Sequence, residues 1–150
     1  MIKKILVPVD GSRTAQKALE YALDLAKQLG SPIVLLSVID KSPFYGEPIF
    51  PAESTSTHLL ENLEDYLKQA AETCVARAET LCKAKKVKSQ KIVKKGKPVE
   101  EIIKTAKLSK ADLIVLGSHG KSALRAALLG SVTTGIMYME KKIPVLVVRR

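Results

Sequence analysis

Four short apolar runs constrain what this chain can fold into: residues 5–9 (ILVPV), 33–38 (IVLLSV), 112–116 (DLIVL) and 143–148 (IPVLVV). Each is too short for an ordinary helix and rich in branched side chains, the pattern of a strand buried on both faces of a parallel sheet. Between the first two, Ala15, Ala18, Leu19, Ala22, Leu25, Ala26 and Leu29 recur at helical spacing. Ser12 or Thr14 is placed to cap that helix and Gly30 to stop it. Strand, helix and strand make one β-α-β unit, because parallel strands require a crossover. Residues 57–85 then carry Leu60, Leu63, Leu67, Ala70, Cys74, Ala78 and Leu81 on one helical face. Residues 91–95 alternate partly and are flanked by lysines, which suits an edge strand. Pro98 opens a third helix with Glu100 and Glu101 in its first turn and Val99, Ile102, Ile103 and Ala106 on its apolar side. A last helix over 131–141 leads into the final strand. The pattern predicts one α/β domain over residues 1–150, a doubly wound five-stranded parallel sheet of order 3-2-1-4-5 with helices on both faces and right-handed crossovers.

The remaining features narrow the class. Residues 40–56 hold Pro43, Gly46, Pro48 and Pro51 and lose all periodicity, so they read as a long loop. The chain contains no apolar stretch approaching the roughly 18 residues of a membrane span, and the run after Met1 is too short for a secretory leader, so a cytoplasmic location is expected. Cys74 and Cys82 fall about 12 Å apart along one helix, too far for a disulfide, and are expected to be packed thiols. The net charge of +10 owes much to Lys83, Lys85, Lys86, Lys88, Lys91, Lys94, Lys95 and Lys97. No aromatic residue is interleaved there, and single-strand binding surfaces use stacking rings as well as charge. The stretch reads as a solvated helix end and edge strand; nucleic acid and membrane are not the expected partners.

Residues 117–131, GSHGKSALRAALLGS, carry the chemistry. A Walker loop needs G-x-x-x-x-G-K-[ST], but five residues before Gly120 stands Val115, inside a predicted strand. In an open α/β sheet, ligands bind beyond the carboxyl ends of the strands where strand order reverses. Here that place lies between strands one and four, so the loops Pro8-Val9-Asp10-Gly11 and Gly117-Ser118-His119-Gly120 should meet. Gly117 and Gly120 can take conformations closed to other residues and let backbone N–H groups approach a ligand, and Gly130 frees the start of the next helix, where Ser131, Val132 and Thr133 would offer N–H groups, hydroxyls and the positive end of a helix dipole to phosphate. Tight turns alone would also explain the glycines. Asp10 could equally cap the turn before the first helix, and His119 could bond locally rather than act as a base. Lys121 and Arg125 could neutralise phosphate or face solvent.

Gly117, Gly120, Gly130 and Ser131 fit G-x2-G-x9-G-[ST] position by position. That spacing resembles the ATP-binding signature of the universal stress protein family. ILVPVDGS, DLIVLGSHG, GSVT and PVLVVRR resemble that family's landmarks in the same order. The resemblance spans the chain and is weakest over 40–97. It implies phosphates over the glycine loop and adenine near Val9 and Val38, with Pro8 and Leu116 at the strand ends lining the site. Asp10 would address the ribose or a phosphate-bound Mg or Mn. It also implies a homodimer through residues 144–148.

The expected function is therefore an ATP-binding stress-response module in which nucleotide sets conformation or assembly. A slow ATPase or phosphoryl-transfer enzyme is the alternative. Efficient phosphoryl transfer needs a positioned nucleophile and metal held by oxygen ligands, and beyond Asp10 the phosphate loop shows no second carboxylate, so no catalytic residue is assigned. A basic nucleic-acid adaptor would rest on charge alone.

Overall fold

The computed structural model describes residues 1–42, 57–120 and 129–149, with side chains in the long central helix described from residue 62. The expectations on residues 43–56, Lys121 and Arg125 lie outside those residues. Strands β1 (Ile5–Pro8), β2 (Ile33–Ile39), β3 (Ser89–Lys95), β4 (Leu113–Gly117) and β5 (Val145–Val148) alternate with helices α1 (Arg13–Leu29), α2 (Thr57–Ala84), α3 (Pro98–Ser109) and α4 (Ser131–Met139). The sheet is parallel with order β3-β2-β1-β4-β5, as the sequence predicts. Ile5 lies between Ile33 on one side and Leu113 on the other, so the winding direction reverses beside β1.

Local signals set the helix ends. Ser12, with φ −73° and ψ 156°, caps α1 by accepting the Ala15 N–H at 3.2 Å, and Gly30 closes the helix at φ 67°, where a Cβ would be strained. Of the two cap candidates, Ser12 takes the role and Thr14 is released for another. Pro98 stands in the first turn of α3, followed by Glu100 and Glu101 where the helix dipole favours acids.

Side chains of the central strands alternate between two cores. Ile5, Val7, Leu35 and Val115 pack with Leu19, Leu23 and Cys82 under α1 and α2. Leu6, Leu36 and Ile114 pack with Ile102 and Ile136 under α3 and α4. Each buried Leu or Ile contributes about 1.5–3 kcal/mol, so these three central strands anchor the sheet, whereas β5 is only half-buried along its length. The buried stripe of α2 meets the predicted one at Ala78, with Cys74 partly buried against the core, and is otherwise shifted by one position. Ala71, Val75, Ala78 and Cys82 face the sheet, and Leu81 is exposed. Small side chains let the helix lie close to the strands, and Leu81 is rotated by about 100° from Cys82 onto the outer side. Both cysteines are free thiols.

Two polar features bind the periphery. Within the lysine-rich stretch, Lys83 and Lys91 both pair with Glu79, at 2.5 and 2.9 Å, while Lys85 pairs with Asp24 at 2.9 Å. Glu140, whose side chain is 1% exposed, closes the turn from α4 to β5. Its Oε1 accepts the N–H groups of Lys142 at 2.7 Å and Ile143 at 3.0 Å, and Lys107 Nζ stands 3.5 Å from Oε2.

Candidate functional site

The loops that leave β1 and β4 meet where the winding reverses. Beyond Pro8, the Val9 N–H donates to the Leu36 carbonyl at 2.8 Å, extending β1 by one residue, and the Val9 side chain enters the core under α1. Val38 and Leu116 point to the opposite core, Leu116 buried and Val38 at its margin. The expectation that Val9 serves adenine through its backbone is thus narrowed: its N–H is committed to the sheet, and what it can offer a ligand is its carbonyl. Asp10 Oδ1 accepts the Ser12 N–H at 2.8 Å, across Gly11 at φ 80°. The capping role weighed for Asp10 is present, and Oδ2 is the oxygen it does not use. An ideal Cβ on Gly120 would stand 3.1 Å from that Oδ2, so Asp10 and the glycine loop are neighbours.

Three consecutive carbonyls of the β4 loop are taken up by two other parts of the chain, the start of α4 and the first turn of α1. The Thr133 hydroxyl, from the first turn of α4, donates to the Gly117 carbonyl at 2.8 Å. The Gly130 N–H donates to the Ser118 carbonyl at 2.6 Å, and the Thr14 hydroxyl, from the first turn of α1, donates to the His119 carbonyl. On the N–H side, Ser118 donates to the Val148 carbonyl at 3.0 Å. Its hydroxyl is buried and lies 3.0 Å from His119 Nδ1, so His119 bonds within its own loop.

The geometry revises why glycine is needed. Gly117, Gly120 and Gly130 do not take the left-handed backbone; Gly130 sits at φ −70° and ψ 162°, open to any residue. At Gly117 the constraint is packing. A Cβ there would lie 2.6 Å from the Thr14 carbonyl carbon and 2.9 Å from the Ala15 nitrogen, inside the backbone of α1. At Gly130 a Cβ would press on the His119 Cα at 3.2 Å and approach the Gly120 nitrogen at 3.5 Å. Gly117 therefore brings α1 onto the end of β4, and Gly130 brings the start of α4 onto the loop.

Ser131 is exposed at the start of α4, with Val132 half-buried beside it. Among the described residues no side chain caps that end of the helix; its first internal bond runs from the Thr134 N–H to the Gly130 carbonyl at 3.0 Å. Thr133 is buried, and its hydroxyl holds the loop instead of reaching outward, which corrects the expectation that it would be offered to phosphate. Sequence reasoning missed the structural duties of Thr14 and Ser118. A hydroxyl two residues past an already sufficient N-cap was the available hint for Thr14. Among the described residues, no three His, Cys, Asp or Glu side chains gather as a metal cluster.

This arrangement defines a class: a doubly wound α/β protein whose glycine loop and helix start converge at the switch point. The chain belongs to the universal stress protein family, whose model matches residues 1–149. Universal stress protein MJ0531 of Methanocaldococcus jannaschii is 33% identical over 150 residues, covering 100% of this chain and 84% of that relative. The solved structure of protein MJ0577 from the same organism matches with a TM-score of 0.84 at 33% identity, covering 100% of this chain and 97% of that one. A universal stress protein family protein of Arabidopsis thaliana, solved with AMP bound, has the same fold at a TM-score of 0.70 and 19% identity, over 99% of this chain and 92% of that one.

Proposed function

We propose that this chain is an ATP-binding regulatory module in which the bound nucleotide sets conformation or assembly. The observation that carries the reading is the loop of residues 117–120, whose carbonyls at Gly117, Ser118 and His119 are all bonded to other elements. Ser118 spends its N–H on Val148, but turning these carbonyls away leaves N–H groups such as that of Gly120 to the open side of the loop, and N–H groups attract anions. The start of α4 adds Ser131, Val132 and Thr133 N–H groups that no side chain caps among the described residues. The fold holds AMP in the Arabidopsis relative, which supports an adenine nucleotide as the anion. Adenine would lie toward Val38 and the Val9 carbonyl, along Pro8 and Leu116.

Asp10 fits a divalent cation carried in with the phosphates. Its Oδ2 faces the Gly120 side of the loop, where a bare carboxylate would repel a triphosphate. Mg²⁺ is commonly held by one or two carboxylates with phosphates and water completing its shell, so a single Asp10 is chemically sufficient. The cation would neutralise phosphate charge, while the chain itself supplies backbone cradling. His119, with Nδ1 at the Ser118 hydroxyl, is oriented by its own loop. That pattern suits holding a nucleotide more than rapid turnover.

Denaturing the purified protein and identifying what is released tests this reading. An adenine nucleotide at up to one per chain is the expected result. Protein that releases none and also takes up none when ATP is supplied would overturn it.

Assembly is proposed to run through β5, which is an edge strand. The Ile114 N–H bonds the Pro144 carbonyl at 3.0 Å and the Ser118 N–H bonds the Val148 carbonyl at 3.0 Å. Alternation along the strand then turns the backbone groups of Val145 and Val147 to the free edge. An apolar edge with open N–H and carbonyl groups calls for a partner, and antiparallel pairing with a second copy over residues 144–148 satisfies both edges about a two-fold axis. Val147→Pro removes one outward donor without touching β4 and is expected to shift the protein to monomer in sedimentation velocity. Wild type that sediments as a monomer at micromolar concentration, with and without ATP, would contradict this assembly.

A further inference from the structure

We propose that Thr14 is a positioning residue of the phosphate loop, which its hydroxyl orients through the His119 carbonyl from a place that only a glycine at 117 makes reachable. The inference rests on the nucleotide site proposed above and adds a residue from a different element to it. Thr14 lies in the first turn of α1, yet Ser12 already caps that helix. Its hydroxyl donates instead to the His119 carbonyl, 105 residues away in sequence. Thr14 reaches that far because its backbone sits where any side chain at 117 would be, its carbonyl carbon 2.6 Å from an ideal Cβ there.

The consequence follows from peptide geometry. All described peptide bonds are trans, so a carbonyl and the next residue's N–H point in opposite directions. With the His119 carbonyl turned to α1, the Gly120 N–H is turned away from α1. The Gly120 nitrogen also lies on the side where α4 begins, 3.5 Å from where a Gly130 Cβ would stand. The Thr14 bond thus aims the Gly120 N–H to the side of the uncapped Ser131 and Val132 N–H groups. Losing it removes one of the bonds that fix this peptide plane, and a plane that turns presents a carbonyl to the phosphates instead. Thr133 fixes the Gly117 carbonyl similarly, but from inside the helix that borders the site. Thr14 acts from across the sheet end, next to Asp10 and Ser12, and so ties the β1 turn to the loop.

The test compares ATP with adenosine on nucleotide-free wild type, Thr14→Val and Thr14→Ser, by calorimetry with melting curves alongside. Thr14→Val keeps the branched shape and loses the hydroxyl. It is expected to weaken ATP about tenfold, the scale of one charge-assisted hydrogen bond, while leaving adenosine affinity unchanged. Thr14→Ser keeps the hydroxyl and is expected to restore ATP affinity. A role confined to packing would lower both affinities together and would not be rescued by serine. If Thr14→Val melts early, Thr14→Ala supplies the hydroxyl-free variant. Wild type that binds ATP together with a hydroxyl-free variant that binds it equally well overturns the assignment of Thr14 alone. Equal losses for ATP and adenosine, or a serine variant as weak as the valine one, also overturn it. Wild type that binds no ATP overturns the nucleotide site and this inference with it.

Discussion

Gly117→Val is expected to cost the protein stability and nucleotide affinity together, whereas Gly130→Val removes affinity and leaves the fold. The difference lies in what each new side chain meets. At 117 the Cβ alone falls 2.6–2.9 Å from three backbone atoms of Thr14 and Ala15, and backbone cannot swing aside as a side-chain tip can. The first turn of α1 must lift off β4, opening the core around Ala15 and Ala18, which are buried. Overpacking of this kind costs about 1–3 kcal/mol or more, a fall in melting temperature on the order of 10 °C for a chain of this length. At 130 the backbone conformation suits any residue, and the nearest atom is the His119 Cα at 3.2 Å, in a loop rather than a core. Valine there displaces the loop and crowds the uncapped start of α4. Loss of two charge-assisted contacts, about 3 kcal/mol, makes ATP binding roughly a hundredfold weaker. Melting curves and calorimetry on both variants check the contrast. A Gly117→Val protein that melts like wild type would show that the approach of α1 is not the constraint at that position.

The second large effect concerns Glu140. Its carboxylate holds the Lys142 and Ile143 N–H groups and is itself buried, so Glu140→Ala leaves two donors without their acceptor at the start of β5. An unsatisfied buried donor costs about 1–3 kcal/mol. Lys142 is exposed and water replaces part of what it loses, so a total near 2 kcal/mol is expected from urea denaturation at neutral pH. The same bonds make the contribution dependent on pH. The Ile143 and Lys142 N–H groups, helped by Lys107, hold the Glu140 carboxyl below its ordinary value of 4.5, against the opposing effect of burial. A carboxyl lowered on folding stabilises the protein fully above its unfolded value and loses that contribution as pH falls through the folded one. Acidification below about 4.5 should therefore narrow the gap between wild type and Glu140→Ala. A gap that stays constant to pH 3 would mean that the carboxylate charge is not what stabilises the turn.

The fold was legible because its signals are local. The four apolar runs fix central strands by composition, and Ser12, Gly30 and Pro98 mark helix ends through backbone chemistry that each residue carries with it. The strand order needed only the β-α-β rule and one reversal. Apart from Ala78, the stripe of α2 was read one position off, because a pattern anchored on leucines cannot tell which of two adjacent faces meets the sheet when alanine, valine and cysteine do the packing. In the candidate site the glycine spacing marked the loop that meets the end of β1 at the switch point, but not the reason for its glycines. Gly117 is small because another helix arrives there, and that helix is about a hundred residues distant in sequence. Thr14 was hidden for the same cause, whereas Thr133, 16 residues from Gly117, was singled out but with another role for its hydroxyl. A threonine in a first helical turn has the appearance of a cap, and nothing local says that its hydroxyl is spent on a carbonyl of β4.

The central claim is that the loop of residues 117–120 and the start of α4 hold the phosphates of an adenine nucleotide. Titrating ATP into nucleotide-free wild type and Gly130→Val, with Mg²⁺ present, tests it most directly. Saturable binding of one ATP per chain in the wild type, lost in a Gly130→Val protein that melts normally, is the predicted result. Wild type that shows no saturation, or a folded variant that binds ATP as tightly as wild type, would contradict the account.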